Sequence, residues 1–181
     1  MNTTRRALLA ASLALPLVVL VPFASVSKAI SSERQASPLK RATLAVHSTQ
    51  GPHRLSVEVA QTPAQRQKGL MDRTTLPANH GMLFTYAREQ SAYNGFWMYR
   101  TLMPLDIAFI DGEGAIVALR TMLPCESASP SDCRTYAPGK PYRAALEVNA
   151  GYFEQRGIAV GDCVSLPGAK RCGQDGSANR R

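Results

Sequence analysis

Two carboxylates and two arginines are the residues of this chain best placed to do chemistry. Asp106 lies between Leu105 and Ile107, and Glu147 between Leu146 and Val148, each inside an apolar stretch. If both faced one cavity, one carboxyl pKa would rise and the pair could work as general acid and base in a hydrolase or lyase. The plainer reading pairs them with Arg66 and Arg73, locking a short helix onto a sheet. A guanidinium fork also suits two-point capture of a carboxylate or phosphate. The expectation is a pocket near Arg66, Met71, Arg73, Trp97, Met98, Arg100, Thr101, Asp106 and Glu147. It would bind a small anionic or carbohydrate-like ligand without reacting with it.

Met71, Met82 and Met98, beside the single Trp97, are candidate copper ligands, because thioether sulfur suits Cu(I) and an indole face can shield a cation. They share no Met-x-x-Met run, and methionine is also an ordinary core filler. No other cofactor is expected. No Gly-x-Ser-x-Gly elbow, phosphate-binding loop, dinucleotide fingerprint or His-x-x-x-His pair is present. His47, His53 and His80 read as turn or loop residues. Tyr136, Tyr142 and Tyr152, with Trp97, could form an aromatic platform for a sugar.

The element that must position these groups is Phe96–Asp111, FWMYRTLMPLDIAFID. Leu105, Ile107 and Phe109 alternate with Asp106 and Ala108, which predicts a strand; Asp111-Gly112-Glu113-Gly114 turns it into a returning strand at Ala115–Leu119. Further strands are expected at Ala42–Val46, Leu55–Val59, Gly81–Tyr86, Ala144–Val148 and Val164–Leu166. Thr62-Pro63-Ala64-Gln65 predicts a helix start with a capping box, and Gly69 supplies a left-handed end. Ala150–Arg156 predicts a second short helix ended by Gly157. Residues 124–142 read as a long irregular excursion. Many short strands and two short helices predict a mainly β, single-domain β-sandwich or barrel-like fold.

The N-terminus carries an address. Residues 1–29 have a basic start, an apolar run broken by Pro16 and the small-x-small step Ser27-Lys28-Ala29, the form of a cleaved signal peptide. Thr4-Arg5-Arg6-Ala7-Leu8-Leu9 also fits a twin-arginine export signal. The expected product is a periplasmic or secreted monomer with no membrane span after cleavage. Residues 30–41 read as a linker, 42–168 as the β domain and 169–181 as a polar tail. Of 21 basic residues, Arg5, Arg6 and Lys28 leave with the signal, so 18 remain against 13 acidic ones. That excess is dispersed, and no nucleic acid partner is expected. Cys125, Cys133, Cys163 and Cys172 allow three pairings. The local scheme, Cys125–Cys133 and Cys163–Cys172, is favoured over a zinc site because no Cys-x-x-Cys spacing occurs and the expected compartment is oxidising.

The motifs Arg66-x-x-Gly69-Leu70-Met71-x-Arg73, Gly81-Met82-Leu83-Phe84, Phe96-Trp97-Met98, Pro104-Leu105-Asp106-Ile107, Ala145-Leu146-Glu147 and Gly157-Ile158-x-x-Gly161-Asp162 follow one another in order. Together they resemble the DUF192 family, also called UPF0127, over roughly residues 55–166. The resemblance implies a mainly β fold and no established activity. One departure concerns position 100, where Arg100 replaces the usual Asn. If that position lines a shared pocket, its charge preference has changed here.

Overall fold

The computed structural model describes residues 38–166. The predicted signal peptide, most of the predicted linker and the polar tail lie outside the described residues. Among the described residues nine strands form: β1 (Lys40–Ser48), β2 (Gly51–Ala60), β3 (His80–Gln90), β4 (Phe96–Trp97), β5 (Leu105–Ile110), β6 (Ile116–Met122), β7 (Thr135–Tyr136), β8 (Tyr142–Asn149) and β9 (Cys163–Ser165). The α-helix α1 (Pro63–Lys68) follows β2. Among the described residues no helix is long and apolar enough to cross a membrane.

Seven strands make one sheet in the order β6-β5-β8-β3-β2-β1-β9, antiparallel except for the β2–β3 pair. Its two edges are drawn together. Ala115 bridges Cys163, the Val164 amide donates to the Gly114 carbonyl, and the Gly161 amide donates to the Ile116 carbonyl, each of these two bonds at 2.8 Å. The sheet therefore curls into a barrel-like form, which satisfies edge groups that a flat sheet would leave open.

Alternation along the strands sorts apolar side chains into two cores. Leu44, Val46, Leu55, Val57, Leu83, Ala108, Ile110, Ile116, Leu146, Val148 and Val164 face the interior and draw on all seven strands. Met82, Phe84, Leu105, Ile107, Phe109, Met122 and Ala145 face outward, yet they too are buried, under Leu70, Met98, Met103, Tyr136 and Tyr142. The cover comes from the loops and from the β4–β7 ribbon, which packs tightly. A Cβ on Gly95 would lie 2.5 Å from Thr135 Cγ2 and 2.8 Å from the Tyr136 backbone. Every residue of β5 is consequently buried, on both faces.

Several local expectations change. β1 begins at Lys40, inside the stretch read as linker, because its first residues pair with Val59 and Glu58 of β2. The second helix is a turn followed by a single 3₁₀ turn, Glu154–Arg156, closed by Gly157 in the left-handed conformation. The first helix forms as predicted, with Thr62 and Gln65 completing the capping box. Gly69 has a positive φ of 47°, but its ψ of −135° is not left-handed helical. The three histidines lie in β1, β2 and β3 rather than in turns. The excursion at 124–142 contains β7 and a 3₁₀ turn at Pro130–Asp132, and Cys125–Cys133 ties its start. Cys163 is disulfide-bonded as well; its expected partner, Cys172, lies outside the described residues.

Candidate functional site

Strand parity separates the two carboxylates. Asp106 sits opposite Val148 and Thr121, whereas Glu147 sits opposite Ile107 and Met82. Cross-strand partners point to the same side of a sheet. Asp106 therefore shares the face of the interior core, and Glu147 the outer, covered face. The condition for the alternative acid–base pair is not met, because Asp106 and Glu147 have opposite parity in the paired register and do not share one cavity. Asp106, 4 % exposed, accepts the Thr121 hydroxyl at 2.8 Å and the Phe153 amide at 3.5 Å. It ties β5 and β6 to the turn after β8, a structural task.

Glu147 is also 4 % exposed, but it lines a small cleft of about 80 Å³. Among the described residues no hydrogen bond or ion pair engages its carboxyl, and burial alone pushes its pKa up to about 8. Glu147 thus holds its proton at neutral pH. The cleft walls are the exit of α1 (Arg66 to Met71), Phe84 and Tyr86 of β3, Gly95 to Trp97 around β4, and Thr101. Thr101 is 5 % exposed, and its hydroxyl has no partner among the described residues.

Arg66 is fixed by its own helix and by β3. Its Nη1 donates to the Gln61 carbonyl at 2.6 Å and to the Thr85 carbonyl at 3.0 Å, and the guanidinium lies over the Tyr86 ring at 4.7 Å. Nε and Nη2 carry no hydrogen bond among the described residues, so a two-donor edge remains unengaged. Burial raises the pKa of the Tyr86 hydroxyl, which stays neutral. Trp97, 41 % exposed, forms part of the rim.

The two loops that shape the rim are clasped to each other. Asp72 pairs with Lys68 and with Arg100, whose Nε lies 2.8 Å from the carboxylate, and the Asp72 amide donates to the Arg100 carbonyl at 2.7 Å. Lys68 first, then Arg100, hold the Asp72 carboxyl below the ordinary carboxylate range. Asp72 and Arg100 both have positive φ, 66° and 55°. That conformation suits Asn better than Arg, which gives a backbone reason for the Asn expected at position 100. Arg100 does not line the cleft.

Of the nine residues expected to bind ligand, Arg66, Met71, Trp97, Thr101 and Glu147 come together here. Arg73 does not; it pairs with Glu58 and lines a separate cleft. Neither arginine pairs with Asp106 or Glu147. Met98 and Met82 are fully buried in the outer core, so only Met71 of the three candidate copper ligands reaches the cleft. No group of three or more His, Cys, Asp or Glu gathers among the described residues. The sequence reading missed Tyr86 and Gly95. The parity of Tyr86 with Met82 and Phe84 was the available signal, since it puts all three on the face of Glu147. The four tyrosine and tryptophan residues expected to form one platform are dispersed: Tyr136 and Tyr142 belong to the outer core, Tyr152 to the interior one.

The family model DUF192, described as an uncharacterized ACR, matches residues 45–166, two-thirds of the chain. Among solved structures, a Novosphingobium aromaticivorans protein of unknown function is 32% identical, with a TM-score of 0.62 over 73% of this chain and 89% of that one. A Sinorhizobium meliloti protein, described as a candidate transcription regulator, is 31% identical, with a TM-score of 0.61 over 70% of this chain and 94% of that one. Among curated proteins nothing matches.

Proposed function

We propose that this chain, which belongs to the DUF192 family, is a non-catalytic binding protein that takes a small polar ligand in the cleft between α1, β3 and β4. The observation that carries this reading is Glu147. Glu147 is nearly buried, makes no side-chain hydrogen bond among the described residues, and opens onto this cleft. A cleft beside it, lined by an arginine edge and a hydroxyl that are also unengaged, is where a ligand would supply the missing bonds. An acid–base pair of Asp106 with Glu147 is not available to the cleft: Asp106 is on the opposite face and is already engaged. The proposed setting is the periplasm or the exterior, as the leader and the disulfides suggest.

Trp97 is the single tryptophan and stands at the rim, so its emission reports on occupancy without a label. The test is a titration of the oxidised protein with a panel of small carboxylates, inorganic phosphate, monosaccharides, small amines and Cu(I). Saturable changes in Trp97 emission that vanish in Thr101→Val or Arg66→Gln, with the fold intact by circular dichroism, are expected. A panel that leaves Trp97 unmoved would overturn the reading. A response to Cu(I) alone would transfer the site to Met71.

A further inference from the structure

Resting on the reading of the cleft as a ligand site, we infer that its ligand is a small carboxylate. It is held between the unengaged edge of Arg66 and the Glu147 carboxyl, which donates a hydrogen bond to a ligand oxygen.

Arg66 is a permanent cation, and its Nε and Nη2 form the side of the fork that fits two carboxylate oxygens. The charged and titratable groups that line the cleft together with Glu147 are Arg66 and Lys68 from α1 and Tyr86 from β3. Its neighbours on β5 and β4 are Ile107, Phe96 and Trp97, which carry no charge. Lys68 is occupied by Asp72, and Tyr86 is neutral. The net charge that a ligand meets is therefore positive, which disfavours an amine. Phe84, Phe96 and Leu70 add apolar lining to the same cleft, which a short hydrocarbon body can contact and a phosphate cannot use.

An anion beside a carboxyl needs that carboxyl to keep its proton. Burial provides for this: the Glu147 carboxyl stays protonated up to about pH 8. Ionisation above that value puts two negative charges side by side and releases the ligand. Binding is thus coupled to one proton, held by Glu147 in the complex and lost to solvent when the empty cleft ionises. No covalent step is involved.

The experiment uses three probes of one shape, propionate, propionamide and propylamine, titrated into the oxidised protein and followed by Trp97 emission. Propionate should bind, and propylamine should not. Because the protonated fraction of Glu147 falls to roughly a tenth one unit above its pKa, propionate should bind roughly tenfold more weakly at about pH 9 than at about pH 6. Glu147→Gln keeps a donor and cannot ionise, so it should retain binding and flatten that dependence. Arg66→Lys keeps the charge and loses the fork, and should weaken propionate several-fold. Propylamine binding that strengthens as pH rises would overturn the inference and leave the ligand site standing. So would propionate binding that is equal at both pH values in the wild type. If none of the three moves Trp97 but phosphate, a monosaccharide, an amine or Cu(I) from the wider panel does, the carboxylate inference falls alone. If nothing in either set does, both fall.

Discussion

Glu147→Gln tests the physical basis of the site without any ligand. Burial pushes the pKa of the Glu147 carboxyl up to about 8, against 4.5 for the unperturbed group. The folded state therefore binds a proton that the unfolded state has lost across that window, and stability falls as pH rises through it. At about 1.4 kcal/mol per unit, the full window of 3.5 units corresponds to about 5 kcal/mol, of which roughly 3 kcal/mol is already lost at about pH 7. Water in the cleft makes both figures upper bounds. Glutamine has the same shape and no proton to lose. The variant should match the wild type near pH 4.5, become more stable by up to about 3 kcal/mol at neutral pH, and gain little more beyond pH 8. The assay is urea unfolding of both proteins, disulfides intact, at several pH values across the window. Equal slopes against urea would show that the change lies in stability and not in the extent of unfolding. A difference that stays constant with pH would refute the assignment of Glu147 as an unpartnered buried acid, as would a variant less stable than the wild type at alkaline pH.

Asp106→Ala should cost about 2 kcal/mol through the lost Thr121 and Phe153 bonds, read by urea unfolding, while Trp97 emission and ligand response stay unchanged because Asp106 lies on the other face. Gly95→Ala should push β7 away from β4, lower the melting temperature and shift Trp97 emission, since its Cβ would meet Thr135 and the Tyr136 backbone. Replacing Cys125 and Cys133 together with Ser should destabilise the chain by about 2–3 kcal/mol, the loop-entropy value for a short closed loop, measured by calorimetry. Arg100→Asn should leave the urea midpoint close to unchanged: an exposed ion pair is lost while a left-handed backbone position gains a residue that tolerates it.

The wall of the site was legible in the sequence and its floor was only half so. Thr62, Pro63 and Gln65 specify where α1 starts by local chemistry alone, and that start places Arg66. Alternation in Leu105–Ile110 and Ala144–Asn149 specifies which residues share a face, as the strands show. Parity within one strand, however, does not say how two strands are registered. Whether Asp106 and Glu147 face the same way depends on the pairing of Asp106 with Val148, a contact between residues far apart in the chain. Alternation also cannot say that both faces of β5 are covered, because that depends on where the loops and the β4–β7 ribbon lie. Arg66 and Arg73 illustrate the same limit: their side chains reach many neighbours, and the backbone carbonyls of Gln61 and Thr85 and the carboxylate of Glu58 took them. By itself, the sequence determined the family motifs, the helix start, the hairpin at Asp111–Gly114 and the strand faces, all set by local spacing. Only the tertiary structure decided that Glu147 is the carboxyl left without a partner, because desolvation and pairing depend on what the rest of the chain brings to its side of the sheet.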